Sequence, residues 1–141
     1  YGVSFYAGVE EYERQSKTSA LLNDAFNGTA GLTYVYGPVS VGAQTWYSDA
    51  GAADGIHYSA EGVSIAFAVN DNLSISYAEI DETEEANIDG TSDVTAKMDN
   101  INIAYSMGSM AIKAQHSSTD DQGFVKTATS DRTEVSLSLA F

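Results

Sequence analysis

Alternation with a period of two runs through this chain from its first residue. Tyr1, Val3, Phe5, Ala7 and Val9 alternate with Gly2, Ser4, Tyr6, Gly8 and Glu10. Successive side chains of a strand point to opposite faces, so the first set shares one face. Ala30, Leu32, Tyr34 and Tyr36, then Val39, Val41, Ala43 and Thr45, repeat the pattern on either side of Gly37-Pro38, and pairing Tyr36 with Val39 keeps every apolar position on a common face. Val63, Ile65, Phe67 and Val69 lead through a three-residue hairpin at Asn70 to Asn72 into Leu73, Ile75 and Tyr77. Ile56, Tyr58 and Ala60 stand in the opposite phase from Val63, and a bulge at Glu61 and Gly62 is expected to correct it. Ile101, Ile103 and Tyr105 run to a turn at Met107-Gly108, with Met110, Ile112 and Ala114 returning. The eighth strand is Thr133, Val135, Leu137, Leu139 and Phe141.

The connections differ in a regular way. Those at Gly37-Pro38, Asn70 to Asn72 and Met107-Gly108 are short, whereas those near 14–28, 49–55, 81–93 and 118–130 are long and polar. In an antiparallel sheet this sorts every short turn to one end and every long loop to the other, the habit of transmembrane barrels with short periplasmic turns and long extracellular loops. Ser19 to Phe26 has room for a helical turn within the first long loop.

On a soluble β-protein the face opposite the apolar one carries charge. Here that face is Ser4, Gly8, Thr33, Ser40, Gly42, Ser64, Ser74, Ser76, Asn100, Asn102, Ser136 and Ser138, while charge gathers from Glu79 to Asp93. The expectation is a lipid-facing apolar side and a small polar side lining a lumen. Backbone groups in hydrocarbon must be paired internally, so such a sheet has to close. Tyr1, Tyr36, Phe67, Tyr105 and Phe141 fall near the short-turn ends and Tyr47 and Tyr58 near the long-loop ends, where amphipathic rings meet membrane interfaces.

Composition removes other classes. Twenty acidic against six basic residues leave a net charge of -14, which excludes a partner held by phosphate neutralisation, so no nucleic acid is expected. With no cysteine there is no disulfide, thiolate zinc site or cysteine nucleophile. The longest apolar run of the chain, Ile65 to Val69, is far short of a membrane helix. No signal-peptide pattern opens the chain, and Tyr1 already lies in the alternation, so the start reads as mature or truncated.

The last eleven residues, DRTEVSLSLAF (Asp131 to Phe141), resemble the closing strand of Gram-negative outer-membrane proteins. TYVYGPVSVGAQ (Thr33 to Gln44), NDNLSISYAE (Asn70 to Glu79) and NINIAYSMGSMAIKAQHS (Asn100 to Ser117) are similar to hairpins of the general diffusion porins, especially the alphaproteobacterial ones. The resemblance implies an antiparallel transmembrane β-barrel in the bacterial outer membrane, in contact with lipid and lipopolysaccharide, assembled as a homotrimer. It also implies a terminal Phe141 read by the barrel-assembly machinery. Porins of this family have about 16 strands; only eight are present in residues 1–141, a single unit that corresponds to the C-terminal half of such a barrel. The family's constriction loop is not recognisable. The rival is a complete eight-stranded barrel, plugged, and serving adhesion or envelope integrity. Eight strands enclose a space that inward side chains just fill, and most inward positions here are glycine, alanine, serine or asparagine, which suits a wider, water-filled channel.

Gln44, Lys113, Gln115, Arg132 and Glu134 are the large polar candidates for the pore wall. Pairing around a loop centred near Phe124 sets Glu134 opposite Gln115 and diagonal to Lys113, an ion-pair ladder that would set the field felt by a passing solute. The acid run Glu79, Asp81, Glu82, Glu84, Glu85, Asp89 and Asp93 reads as a solvated extracellular loop. Glu85, Asn87, Asp89 and Gly90 echo the start of an EF-hand, but position twelve is Ala96, so no metal site is expected. His57 and His116 have no serine elbow or ligand pattern around them. Neither an enzyme nor a cofactor is expected, an outer-membrane hydrolase and a soluble β-sandwich binding module being the alternatives from other classes.

Overall fold

A computed structural model describes residues 1–13, 23–52, 55–86 and 92–140. Among the described residues the fold is all-β: β1 (Gly2–Tyr12), β2 (Ala25–Tyr36), β3 (Val39–Asp49), β4 (Ile56–Asn70), β5 (Leu73–Ala86), β6 (Val94–Met107), β7 (Met110–Asp120) and β8 (Thr129–Leu139), with a 3-10 turn at Gln122–Phe124. The eight strands form one antiparallel sheet in chain order. β1 and β8 are its two edges, so the sheet is open within the described residues. Residues 19–22 of the expected helical turn lie outside the described residues, and Ala25 and Phe26 open β2.

Turn chemistry sets the register. Gly37 and Gly108 each have φ of 57°, as the first central residue of a two-residue hairpin with a following Pro38 or Ser109 requires. Tyr36 pairs with Val39 as expected, and Met107 pairs with Met110, which moves the third turn to Gly108-Ser109. At the middle hairpin Asn70 pairs with Leu73 after a register shift between Ala68 and Asn70. Asn70 Oδ1 accepts the Asn72 and Leu73 N–H groups at 2.9 and 3.0 Å, an Asx turn.

Two further expectations are corrected by the pairing. The β3–β4 register is unbroken from Val39–Phe67 to Asp49–His57, so no bulge exists at Glu61 and Gly62. Ile56, Tyr58 and Ala60 therefore share a face with Gly62 and Ser64. Second, Glu79 to Glu85 are not loop: β5 continues to Ala86, paired with β4 to its end and with β6 as far as Glu84. Hydropathy falls before the strands end, because backbone pairing does not depend on which solvent the side chains meet.

Little is buried. Among the described residues the buried apolar side chains are Ala60 and Ala96, whereas Phe5, Ile65 and Leu137 are 82%, 48% and 60% exposed. Exposed large apolar residues appear on every strand, and nearly all of them share one face. Burying each would be worth about 1.5–3 kcal/mol, so the bare sheet leaves tens of kcal/mol of apolar contact unmade.

Candidate functional site

The registers assign each strand residue to one of two faces. The apolar face carries Val3, Phe5, Leu32, Tyr34, Val41, Ile65, Phe67, Ile75, Ile103, Ile112 and Leu137; the other carries Ser4, Thr33, Gly42, Ser64, Ser76, Asn102, Lys113 and Ser136. Along β5 and β6 the serine-face residues Ser76, Ala78, Asn100, Asn102 and Ala104 are half-buried while their apolar neighbours Ile75, Tyr77, Ile101, Ile103 and Tyr105 are exposed. The sheet thus curls around its serine face.

The apolar face ends along a slanted line. One row of paired residues reads Phe5, Leu32, Ala43 and Val63, then Glu79, Asp99, Ser118 and Asp131. The last apolar residue before the polar ends is Val9 on β1, then Ala30, Ala43, Val63, Tyr77, Ile101 and Ala114, and Val135 on β8. Following the pairing back from Val135 leads to Tyr36, beside Tyr1, so the edge climbs by eight residues over seven strand-to-strand steps. At about 3.3 Å per residue and 4.8 Å between strands, a level edge needs strands inclined by about 40°. Closed barrels tilt their strands by about 35–45°. The band covers residues such as Val63 to Val69 and Ile101 to Met107. That is roughly 18 Å of height after tilting, thinner than the ~25 Å usual for a spanning barrel.

Across this edge the two faces exchange character. Above it, on the long-loop side, the formerly apolar face bears Glu61, Glu79, Asp81, Lys97, Asp99 and Asp131. On β4 to β6 the serine face there carries Ile56, Tyr58, Ala60, Ile80, Val94 and Ala96 beside Glu82 and Glu84. The phase change at Ile56 to Ala60 is this exchange. Glu79 stands directly opposite Asp99 and Glu61 opposite Asp81, like-charge pairs that oppose pairing. Tyr77 offsets the first by donating its hydroxyl to Asp99 and to Glu79, the latter at 3.3 Å, and Lys97 Nζ lies 3.4 Å from Asp81 Oδ2.

All the expected wall residues fall on the serine face. Gln44 Oε1 accepts the Tyr6 hydroxyl at 3.3 Å. The Tyr6 ring lies over Gly31, where any Cβ would overlap it. Gln115 pairs with Glu134, and Arg132 Nη2 meets Glu134 Oε2 at 2.7 Å, while Lys113 stands opposite Ser136 and forms no ion pair among the described residues. The expected ladder is thus one ion pair and a separate cation. Both partners are well exposed, so the pair adds only about 0–1 kcal/mol to stability.

Of the aromatics, Tyr1 and Tyr36 stack at 5.0 Å on the apolar face at the short-turn end, where Phe67 and Tyr105 also lie. Tyr47 sits on the same face at the long-loop end, between Phe26 at 6.1 Å and His57 at 5.3 Å. Tyr58 projects from the serine face instead, 5.4 Å from Phe124. Phe141 lies outside the described residues. Sequence reasoning missed the Tyr58–Phe124 contact; its signal was the phase change that was assigned to a bulge.

The two histidines sit on the charged outer rim. His57 Nε2 is 3.1 Å from Glu85 Oε2 and its Nδ1 3.3 Å from the Gly55 carbonyl, while the Ser59 hydroxyl donates to Glu85 Oε1 at 2.6 Å. The Ser59 bond, and then His57, hold the Glu85 carboxyl below its usual range against the opposing effect of burial. Ser59 points at the carboxylate and not at the imidazole, so the cluster lacks the base-to-hydroxyl contact of an activated nucleophile. His116 Nδ1 meets Thr133 Oγ1 at 2.9 Å. Asn87, Asp89 and Gly90 of the EF-hand-like stretch lie outside the described residues, and Ala96 is a paired residue of β6. No family model and no curated protein matches the chain.

Proposed function

We propose that this chain forms part of the wall of an outer-membrane porin, a water-filled channel that passes ions and small hydrophilic solutes down their gradients. The carrying observation is the slanted apolar edge, with polar residues inside the apolar band and charged ones outside above it. Lipid against the apolar face supplies the contact that the bare sheet leaves unmade, and closure through the β1 and β8 edges satisfies the remaining backbone groups. Small residues on the serine face leave the interior open; Gly42, Ser64, Ser76 and Asn102 are too short to fill it. This favours a channel over the plugged eight-stranded barrel. The reading includes trimeric assembly, lipopolysaccharide around the acidic rim, and recognition of the C-terminal strand by the assembly machinery. Transport requires no bond to be made or broken: pore width, wall polarity and the charges of Lys113, Arg132 and Glu134 decide what passes.

The test is single-channel recording of the full-length protein in planar bilayers. Discrete ohmic steps are expected. Protein that inserts stably without conducting would leave the plugged barrel in its place.

A further inference from the structure

Between β7 and β8 the chain folds back across the serine face. The Gln122–Phe124 turn packs on β6, and the Phe124 ring reaches Tyr58 of β4, with centroids 5.4 Å apart and planes at 42°. β4 is three strands from β7 in the sheet, so the loop crosses the hollow as a chord.

This path is conformationally expensive. Asp121, Phe124 and Thr127 have φ of 52°, 60° and 69°, left-handed values that cost an L-residue about 1–2 kcal/mol each. Such conformers persist where their surroundings over-determine them. Here the loop ties itself together: the Thr127 N–H donates to Asp121 Oδ1 at 2.6 Å, the Gln122 N–H to the Ala128 carbonyl at 2.9 Å and the Ala128 N–H to the Val125 carbonyl at 3.0 Å. Its far contact is equally fixed, because the Tyr58 hydroxyl donates to Glu84 Oε2 at 3.0 Å. The buried Ala60 and Ala96 lie on the same face, on the strands that carry Tyr58 and the packed turn.

We propose that Asp121–Ala128 is a rigid constriction of the channel, with the Phe124 ring, seated on Tyr58, as the group that limits solute size. The inference rests on the pore reading above and adds to it a place where this part of the wall narrows the channel and the side chain that does so. A self-bonded loop with three left-handed residues does not swing open on each passage, so the constriction is a fixed sieve.

The test uses the full-length protein in planar bilayers, with polyethylene glycols of graded size as probes. Phe124→Ala is expected to raise single-channel conductance on the order of 1.5-fold, as removing a ring from an apolar constriction widens it, and to admit the next larger polymer. Residues 1–141 contain no cysteine, so Phe124→Cys supplies the one thiol of this stretch. A bulky methanethiosulfonate reagent there is expected to lower conductance, and the same reagent on Asp120→Cys, on the outer face of β7, to leave it unchanged. Channels that conduct but ignore both Phe124 changes overturn the constriction and leave the pore reading standing. Absence of conductance in wild type and all variants removes the pore reading, and the constriction with it.

Discussion

A lysine placed on the apolar face separates a lipid-facing wall from a sheet that merely lies in water. Ile103 stands mid-band on β6, paired with Ile75 and Ala114, and is 44% exposed. In water Ile103→Lys would be an ordinary surface change, within about 0.5 kcal/mol. Against acyl chains, lysine near the midplane of a barrel costs about 2–4 kcal/mol, falling to about 0–1 kcal/mol near the interfaces. Asn102→Lys, one residue away on the serine face, gives the internal control, and Ile101→Lys, at the edge beside Asp99, gives the depth control. The assay is equilibrium urea unfolding of vesicle-inserted protein, followed by Trp46 fluorescence and by the mobility shift of unheated samples. The expected order of destabilisation is Ile103→Lys, then Ile101→Lys, with Asn102→Lys close to wild type. Equal costs at positions 102 and 103, or a larger cost at 102, would refute the assignment of faces.

Other expectations follow from the same geometry. If the pore reading holds, Lys113→Glu, at a cation with no ion pair among the described residues, should move the reversal potential in a salt gradient toward cation selectivity; an unchanged potential would mean that Lys113 does not face the ion path. Glu85, whose carboxyl is depressed by Ser59 and His57, contributes stability that is present above the ordinary carboxylate pKa and lost as pH falls through its lower folded value. Glu85→Gln should therefore flatten the loss of stability on acidification below about pH 4, measured by unfolding at stepped pH. Gly31→Ala pushes a methyl into the Tyr6 ring; the ring is half exposed and can swing aside, so the cost should stay below about 1 kcal/mol, and Tyr6→Ser should remove it if the overlap is the cause.

Strand identity and most of the register were readable because period-two patterning and glycine turns are local. Tyr36–Val39 was fixed by keeping one face apolar, and Gln115 opposite Glu134 followed from counting around Phe124. Two of the errors fall above the apolar edge. Glu79 to Glu85 looked like loop because charge was equated with the absence of a strand, and Ile56 to Ala60 looked bulged because a single face rule was carried past the point where the surroundings change. The Met107-Gly108 turn was misplaced by one residue, since either glycine position keeps the flanking alternation. Parity alone put Gln44, Lys113, Gln115, Arg132 and Glu134 on one face of the sheet, but which cation would meet Glu134 was not readable, because Arg132 two residues away on β8 competes with Lys113 across the strand pair and side-chain conformation decides between them.

The amino-acid sequence by itself determined that this chain is an eight-stranded antiparallel meander with one apolar and one small polar face, since alternation and turn residues act between neighbours in the chain. The tertiary structure alone decided the slant of the apolar edge, the exchange of faces above it and the chord from Phe124 to Tyr58. Those features arise from how far each strand is staggered against the next and how strongly the sheet curls, and no single strand carries that information.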